Sequence, residues 1–73
     1  MAAVHEPEHY THGGIETIDY IKAKLTDEEF IGYCKGNVLK YLSRAGHKGN
    51  AEEDYRKAAV YLGWLIDAEE ERV

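Results

Sequence analysis

Cys34-Lys35-Gly36-Asn37-Val38-Leu39-Lys40-Tyr41-Leu42-Ser43-Arg44-Ala45-Gly46-His47-Lys48-Gly49-Asn50 is the stretch that decides the fold. It reads as the second half of a helix, a turn and the start of another helix. Gly46 stands where a helix C′ residue belongs, because only glycine enters the left-handed region without a Cβ penalty. His47-Lys48-Gly49 is a short loop. Asn50 is a good N-cap, with Glu53 at N3 in a capping-box-like arrangement. A loop this short returns the chain on itself, so the two helices form a hairpin.

Upstream, Thr26-Asp27-Glu28-Glu29 is a capping box that opens a helix running to about Ala45. Phe30, Cys34, Val38, Tyr41, Leu42 and Ala45 form its apolar stripe. Gly32 and Gly36 weaken it and leave room for a close neighbour. Downstream, the next helix runs from Ala51 to about Glu70. Tyr55, Ala58, Ala59, Leu62, Leu65 and Ile66 line one side, and Tyr61 and Trp64 widen the arc. So wide an arc on a terminal helix calls for contacts on two sides.

Earlier still, Ile15, Ile18, Ile21 and Leu25 give residues 15–25 one apolar helical face. Pro7 disfavours helix at Glu6, and Gly13-Gly14 punctuates the boundary. Nothing reads as a strand. The expectation is an all-α chain: an N-terminal arm at 1–14, then one small helical domain at 15–70 with about three helices, the last two a hairpin.

Seventy-three residues with one cysteine cannot build a large core or an intrachain disulfide. Stability must come from tight helix packing or from self-association, and 44% hydrophobic residues supply surface for a homo-oligomer. No run suits a membrane span or a signal peptide, and a lone thiol fits a reducing cytoplasm.

The net charge of −5 hides a segregation. Residues 35–57 sum to +3 and the remainder to −8. Overall acidity argues against duplex nucleic acid, whereas a local basic patch suits a small anion. Tyr33, Asn37, Lys40 and Arg44 recur at spacings of four, three and four, one polar stripe on a helix. Lys40 and Arg44 repel each other until an anion sits between them. Lys48 lies between two glycines, ahead of a helix N-terminus with unpaired N–H groups. Lys57 either joins this volume or pairs with Asp54 at i−3. The site is therefore expected to bind phosphate, with Asn37 and Tyr33 placed for a base or sugar. Glu16 and Asp19, one helical turn apart, are candidate ligands for Mg²⁺. His5, His9 and His12 with nearby glutamates form no recognisable metal spacing. There is no G-x-x-x-x-G-K-[ST] loop and no G-x-G-x-x-G.

Pro7-x-His9-Tyr10, Gly14-Ile15-Glu16-x-Ile18-Asp19, Lys35-Gly36-Asn37-x-x-Lys40-Tyr41-x-x-Arg44, Lys48 and Glu53-Asp54-x-x-Lys57-Ala58-x-x-Tyr61-Leu62 together resemble a small phage family. It is often labelled a SaV-like domain of unknown function, or nucleotide kinase. The resemblance implies a nucleotide partner in the host cytoplasm, with His9, Tyr10, Glu16, Asp19, Asn37, Lys40, Tyr41, Arg44, Lys48 and Lys57 as site residues. A longer podophage member, by resemblance, makes the activity a deoxynucleoside monophosphate kinase. Two other readings stand beside it. One is a non-catalytic module that captures a nucleotide signal and blunts a host defence. The other is an all-α nucleotide pyrophosphohydrolase, for which Glu16-x-x-Asp19 would be half of the acidic set.

Overall fold

The computed structural model describes residues 11, 12, 15–47 and 49–72. Helices carry the architecture: α1 (Thr17–Lys24), α2 (Asp27–Arg44) and α3 (Ala51–Glu71). Two short strands, β1 (Thr11–His12) and β2 (Ile15–Glu16), pair antiparallel, with Thr11 opposite Glu16 and His12 opposite Ile15. The helix expected from Ile15 thus starts two residues later. Its N-cap, Glu16, is extended and makes no side-chain capping bond. Gly13-Gly14, read as punctuation, is also a hairpin signal when it separates two such segments.

The turn chemistry is as the sequence dictates. Thr26 N–H donates to Glu29 Oε1 at 2.9 Å and Glu29 N–H donates to Thr26 Oγ1 at 3.1 Å, a complete capping box. At the other end of α2, Gly46 takes φ +86° and Gly49 φ +67°. Any side chain there would be strained, so these two glycines are required by the reversal. Asn50 Oδ1 then accepts from Glu53 N–H at 3.2 Å and opens α3. Gly32 and Gly36 have open space around them, with nothing within 4 Å of an added Cβ. No neighbour among the described residues needs either position to be bare.

The hairpin has a repeating seam. On α2, Phe30, Cys34, Asn37, Tyr41 and Arg44 recur at alternating four- and three-residue steps. On α3, Asp54, Ala58, Tyr61, Leu65 and Ala68 do the same. Contacts run antiparallel along it: Phe30 and Cys34 cluster with Ala68, Tyr41 stacks on Tyr61, and Arg44 meets Asp54. α1 closes the open end of the hairpin, with Ile18, Ile21 and Leu25 packed on the Phe30–Cys34–Ala68 cluster. Lys22 ties it down through Glu71 at 2.7 Å and lies 5.8 Å from the centre of the Phe30 ring.

The apolar arc of α3 therefore divides. Ala58 and Leu65 turn inward with Tyr61 and Trp64, but Tyr55, Leu62 and Ile66 are exposed. On α2, Leu42 is also exposed rather than part of the buried stripe. The seam admits Asp54 in place of Tyr55, because the partner helix supplies Arg44 at that level.

Cys34 is fully buried at the centre of the seam. Burial pushes its thiol up to about 11 from 9.0, with Lys22 opposing weakly. A raised folded-state pKa means that the native state holds its proton more tightly. The resulting stabilisation is complete below the unfolded value and is lost as pH rises from 9.0 through about 11. A thiol reagent at about pH 8 is accordingly expected to label Cys34 only through unfolding. Labelling at the rate of a free thiol in native buffer would contradict the burial.

Candidate functional site

Tyr41 is the meeting point. Its ring stacks on Tyr61 with centroids 5.8 Å apart and an interplanar angle of 17°. Lys40 Nζ lies 4.6 Å from the Tyr41 centroid, Arg44 Cζ 5.5 Å and Lys57 Nζ 5.5 Å. Two of these cations come from α2 and the third from α3. An electron-rich ring face partly offsets their mutual repulsion.

The aromatic surface continues from there. Tyr61 meets Tyr33 edge-on at 5.9 Å and Trp64 edge-on at 5.2 Å, and Tyr33 sits 6.0 Å from Phe30. Tyr33 is thus half-buried in a ladder of rings. Asn37 is half-buried too, and its Nδ2 donates to the Tyr33 carbonyl at 2.9 Å, one turn back along its own helix. The amide is held in place and its oxygen is left as an acceptor.

Arg44 has a second commitment. Its Nε lies 3.3 Å from Oδ1 of Asp54, a residue only 2% exposed. Asp54 Oδ2 is buried and has no hydrogen-bond partner among the described residues. A carboxylate inside a helix seam is costly unless a charge is paired with it, so Asp54 fixes where the guanidinium stands. The Arg44 side chain is otherwise 48% exposed, so it remains accessible from solvent. Sequence spacing pairs Asp54 with Lys57, but the structure gives it to Arg44 across the hairpin. Lys57 instead approaches Glu53 at 4.0 Å. At that distance the tie is loose, and the ammonium is available over Tyr41.

The expected residues therefore fall into three sets. Lys40, Tyr41, Arg44 and Lys57 converge, with Tyr33 and Asn37 adjoining along α2. Glu16 ends β2. Asp19 lines a groove with Ile18, Lys22, Phe30, Trp64, Asp67 and Glu71, which none of the three cations lines. Among the described residues, no group of three or more His, Cys, Asp or Glu side chains is arranged to hold a metal ion. Glu16 and Asp19 thus gain no third protein ligand there, and the acidic set of a pyrophosphohydrolase is not assembled among them. His9, Tyr10 and Lys48 lie outside the described residues, as does nearly all of the 1–14 arm. The residues that sequence reasoning missed are Tyr61, which carries the stack under Tyr41, and Asp54, which anchors Arg44.

Charge is distributed along the hairpin as well as across it. α2 opens with Asp27, Glu28 and Glu29, and α3 closes with Glu69, Glu70 and Glu71. The antiparallel pairing brings these together at one end, where Arg72 meets Glu28 at 3.7 Å. The site cations gather toward the other end. Among the described residues, no helix is long and apolar enough to cross a membrane.

Residues 4–63 match the model of the family described as a protein of unknown function, DUF3310. The chain belongs to the DUF3310 family. Its DUF3310 domain is 45% identical over 65 residues to the protein named nucleotide kinase gp1.7 of Escherichia phage T7, covering 84% of this chain and 33% of that protein. It is 44% identical over 62 residues to the gene 1.7 protein of Enterobacteria phage T3, covering 80% of this chain and 38% of the relative. The SaV protein of Lactococcus phage p2 is 37% identical over 67 residues, covering 88% and 52% respectively. This DUF3310 chain thus spans about a third to a half of the curated relatives that it matches. No solved structure matches it.

Proposed function

We propose that the cationic face around Tyr41 binds the phosphate of a nucleotide, with a deoxynucleoside monophosphate as the ligand class and phosphoryl transfer as the reaction it serves. One observation carries the reading: Lys40, Arg44 and Lys57, from two helices, meet over one tyrosine ring beside further half-buried aromatic rings. Three donors around one volume match the oxygens of a phosphate dianion, and charge-assisted hydrogen bonds are the strong ones. The neighbouring Tyr33 edge and the Asn37 amide oxygen suit a base. A relative named as a nucleotide kinase supports the same ligand.

Phosphoryl transfer needs little covalent chemistry from a protein, mainly alignment and neutralisation of charge. In this reading a nucleoside triphosphate gives its terminal phosphoryl group to an oxygen of the monophosphate, and two diphosphates result. Lys40, Lys57 and Arg44 hold the monophosphate while Asp54 keeps Arg44 in position. The setting is the cytoplasm of a phage-infected cell.

The test pairs calorimetry with product analysis. The full chain is titrated with deoxynucleoside monophosphates, then incubated with labelled ATP and the same acceptors, with and without Mg²⁺. Both arms are needed because Glu16 and Asp19 are the carboxylates that would hold such an ion. Lys40→Ala and Lys57→Ala are each expected to weaken binding about tenfold. Lys24→Ala, a cation over the unrelated Tyr20 ring, is expected to change nothing. Unaltered affinity in the Lys40 and Lys57 variants, or no affinity in the parent chain, removes the proposal. Binding without product keeps the phosphate site and assigns the chain to nucleotide capture.

A further inference from the structure

Lys40 and Arg44 end a row of residues four apart on α2: Glu28, Gly32, Gly36, Lys40 and Arg44. Residues at this spacing form one ridge along a helix. The ridge has no side chains at Gly32 and Gly36, on the two turns that lead up to the cations. A Cβ added at Gly36 would meet nothing within 4 Å among the described residues. Glycine inside a helix costs stability relative to alanine, and its compensating use is to let something approach the backbone closely. The described residues supply nothing that makes this approach, so the space at Gly36 is open to a ligand.

The neighbouring row is not bare. Tyr33, Asn37 and Tyr41 also stand four apart and wall one side of the trough, with Lys35 and Leu39 on the other. Asn37 Nδ2 donates to the Tyr33 carbonyl at 2.9 Å, which leaves the amide oxygen as an acceptor next to Gly36. At 1.5 Å per residue, Gly36 lies about 6 Å from Lys40 along the helix axis and Tyr33 about 10 Å. The order is cations, bare backbone, then ring and amide. A mononucleotide has the same order: phosphate, sugar, base.

We propose that Gly36 is a binding residue of the nucleotide site. Its missing side chain lets the sugar of a nucleoside monophosphate lie against the α2 backbone, with the base carried on to Tyr33 and Asn37. The inference rests on the phosphate reading above and adds the nucleoside half of the ligand to it. It also accounts for a poor helix former held in a helix interior where alanine would fit. Because the cations lie a turn further on, sugar contact and phosphate contact can be varied separately.

Gly36→Ala and Gly36→Leu are compared with the parent chain by calorimetry and thermal unfolding. Gly63→Ala on α3 is the control, since an added Cβ there also meets nothing within 4 Å. All three substitutions put a better helix former inside a helix, so each thermal midpoint is expected to rise, by about 4–8 °C for alanine. Affinity for deoxynucleoside monophosphates is expected to fall about tenfold in Gly36→Ala, to become unmeasurable in Gly36→Leu and to keep the parental value in Gly63→Ala. Inorganic phosphate, which needs only the cations, is expected to bind the parent and Gly36→Ala alike. A Gly36→Ala protein that is more stable yet binds nucleotide worse is not explained by damage to the fold. Parental nucleotide affinity in both Gly36 variants overturns the inference and leaves the phosphate reading standing. Equal loss of nucleotide and phosphate binding also overturns it. So does a lower thermal midpoint in Gly36→Ala, which would show that the protein itself fills the space. No nucleotide affinity in the parent chain removes both.

Discussion

Arg44→Met is expected to lower the free energy of unfolding by about 3 kcal/mol, read as a shift in the urea midpoint at constant slope. The reason lies with its partner. Asp54 is 2% exposed and holds Arg44 Nε at 3.3 Å. Removing the guanidinium leaves a carboxylate in the seam with one oxygen already lacking a donor among the described residues. Methionine keeps the aliphatic packing against Tyr41 and deletes the charge, so the loss is electrostatic and not steric. Adding Asp54→Asn to Arg44→Met should restore more than half of the stability, since an amide can be buried at lower cost. Arg44→Met at parental stability would show that Asp54 is satisfied without Arg44. In the proposed function the double variant should still bind nucleotide poorly, which separates the structural role of Arg44 from its proposed role toward phosphate.

Phe30→Ala is the other large effect. Phe30 is 3% exposed and stands where all three helices meet, in one cluster with Cys34 and Ala68 against which Ile18, Ile21 and Trp64 pack. Truncation of a buried phenylalanine costs about 3–5 kcal/mol from lost transfer energy and the cavity left behind. A single small core supplies about that much in total. The variant should therefore be largely unfolded at 25 °C by circular dichroism. Phe30→Leu fills most of the space and should lose only about 1–2 kcal/mol. A folded Phe30→Ala protein would mean that the cluster is not the centre of stability.

These two residues also mark what could and could not be read from the sequence. Phe30 stands out because its four-residue step to Cys34 follows directly from a capping box, and both signals are local. Thr26, Gly46 and Asn50 are legible for the same reason: each satisfies or redirects backbone within four residues of itself. Arg44 and Asp54 are legible only as a cation on one helix and an acid on another. Their pairing depends on how two helices align across a turn. The same holds for Lys57, whose spacing points to Asp54 and whose position in space is over Tyr41. The division of the α3 arc was hidden because Tyr55 and Asp54 are adjacent, and hydrophobicity ranks them in the wrong order for burial. The β1–β2 pair was missed because each strand has two residues, too few for an alternating pattern. The cation cluster was half legible: Lys40 and Arg44 lie on one helical stripe, but Tyr61 becomes part of the site only through the hairpin.

The arrangement of charge along the hairpin also limits what can approach the cations. Their field is felt over about 8 Å at physiological ionic strength before counter-ions mask it. A compact dianion fits wholly inside that range and is drawn in. A long polyphosphate or a nucleic acid strand extends past it, toward the carboxylates at the far end of the hairpin, and part of its charge is repelled. Under the proposed phosphate reading, the acidic residues at that end would disfavour long anionic ligands.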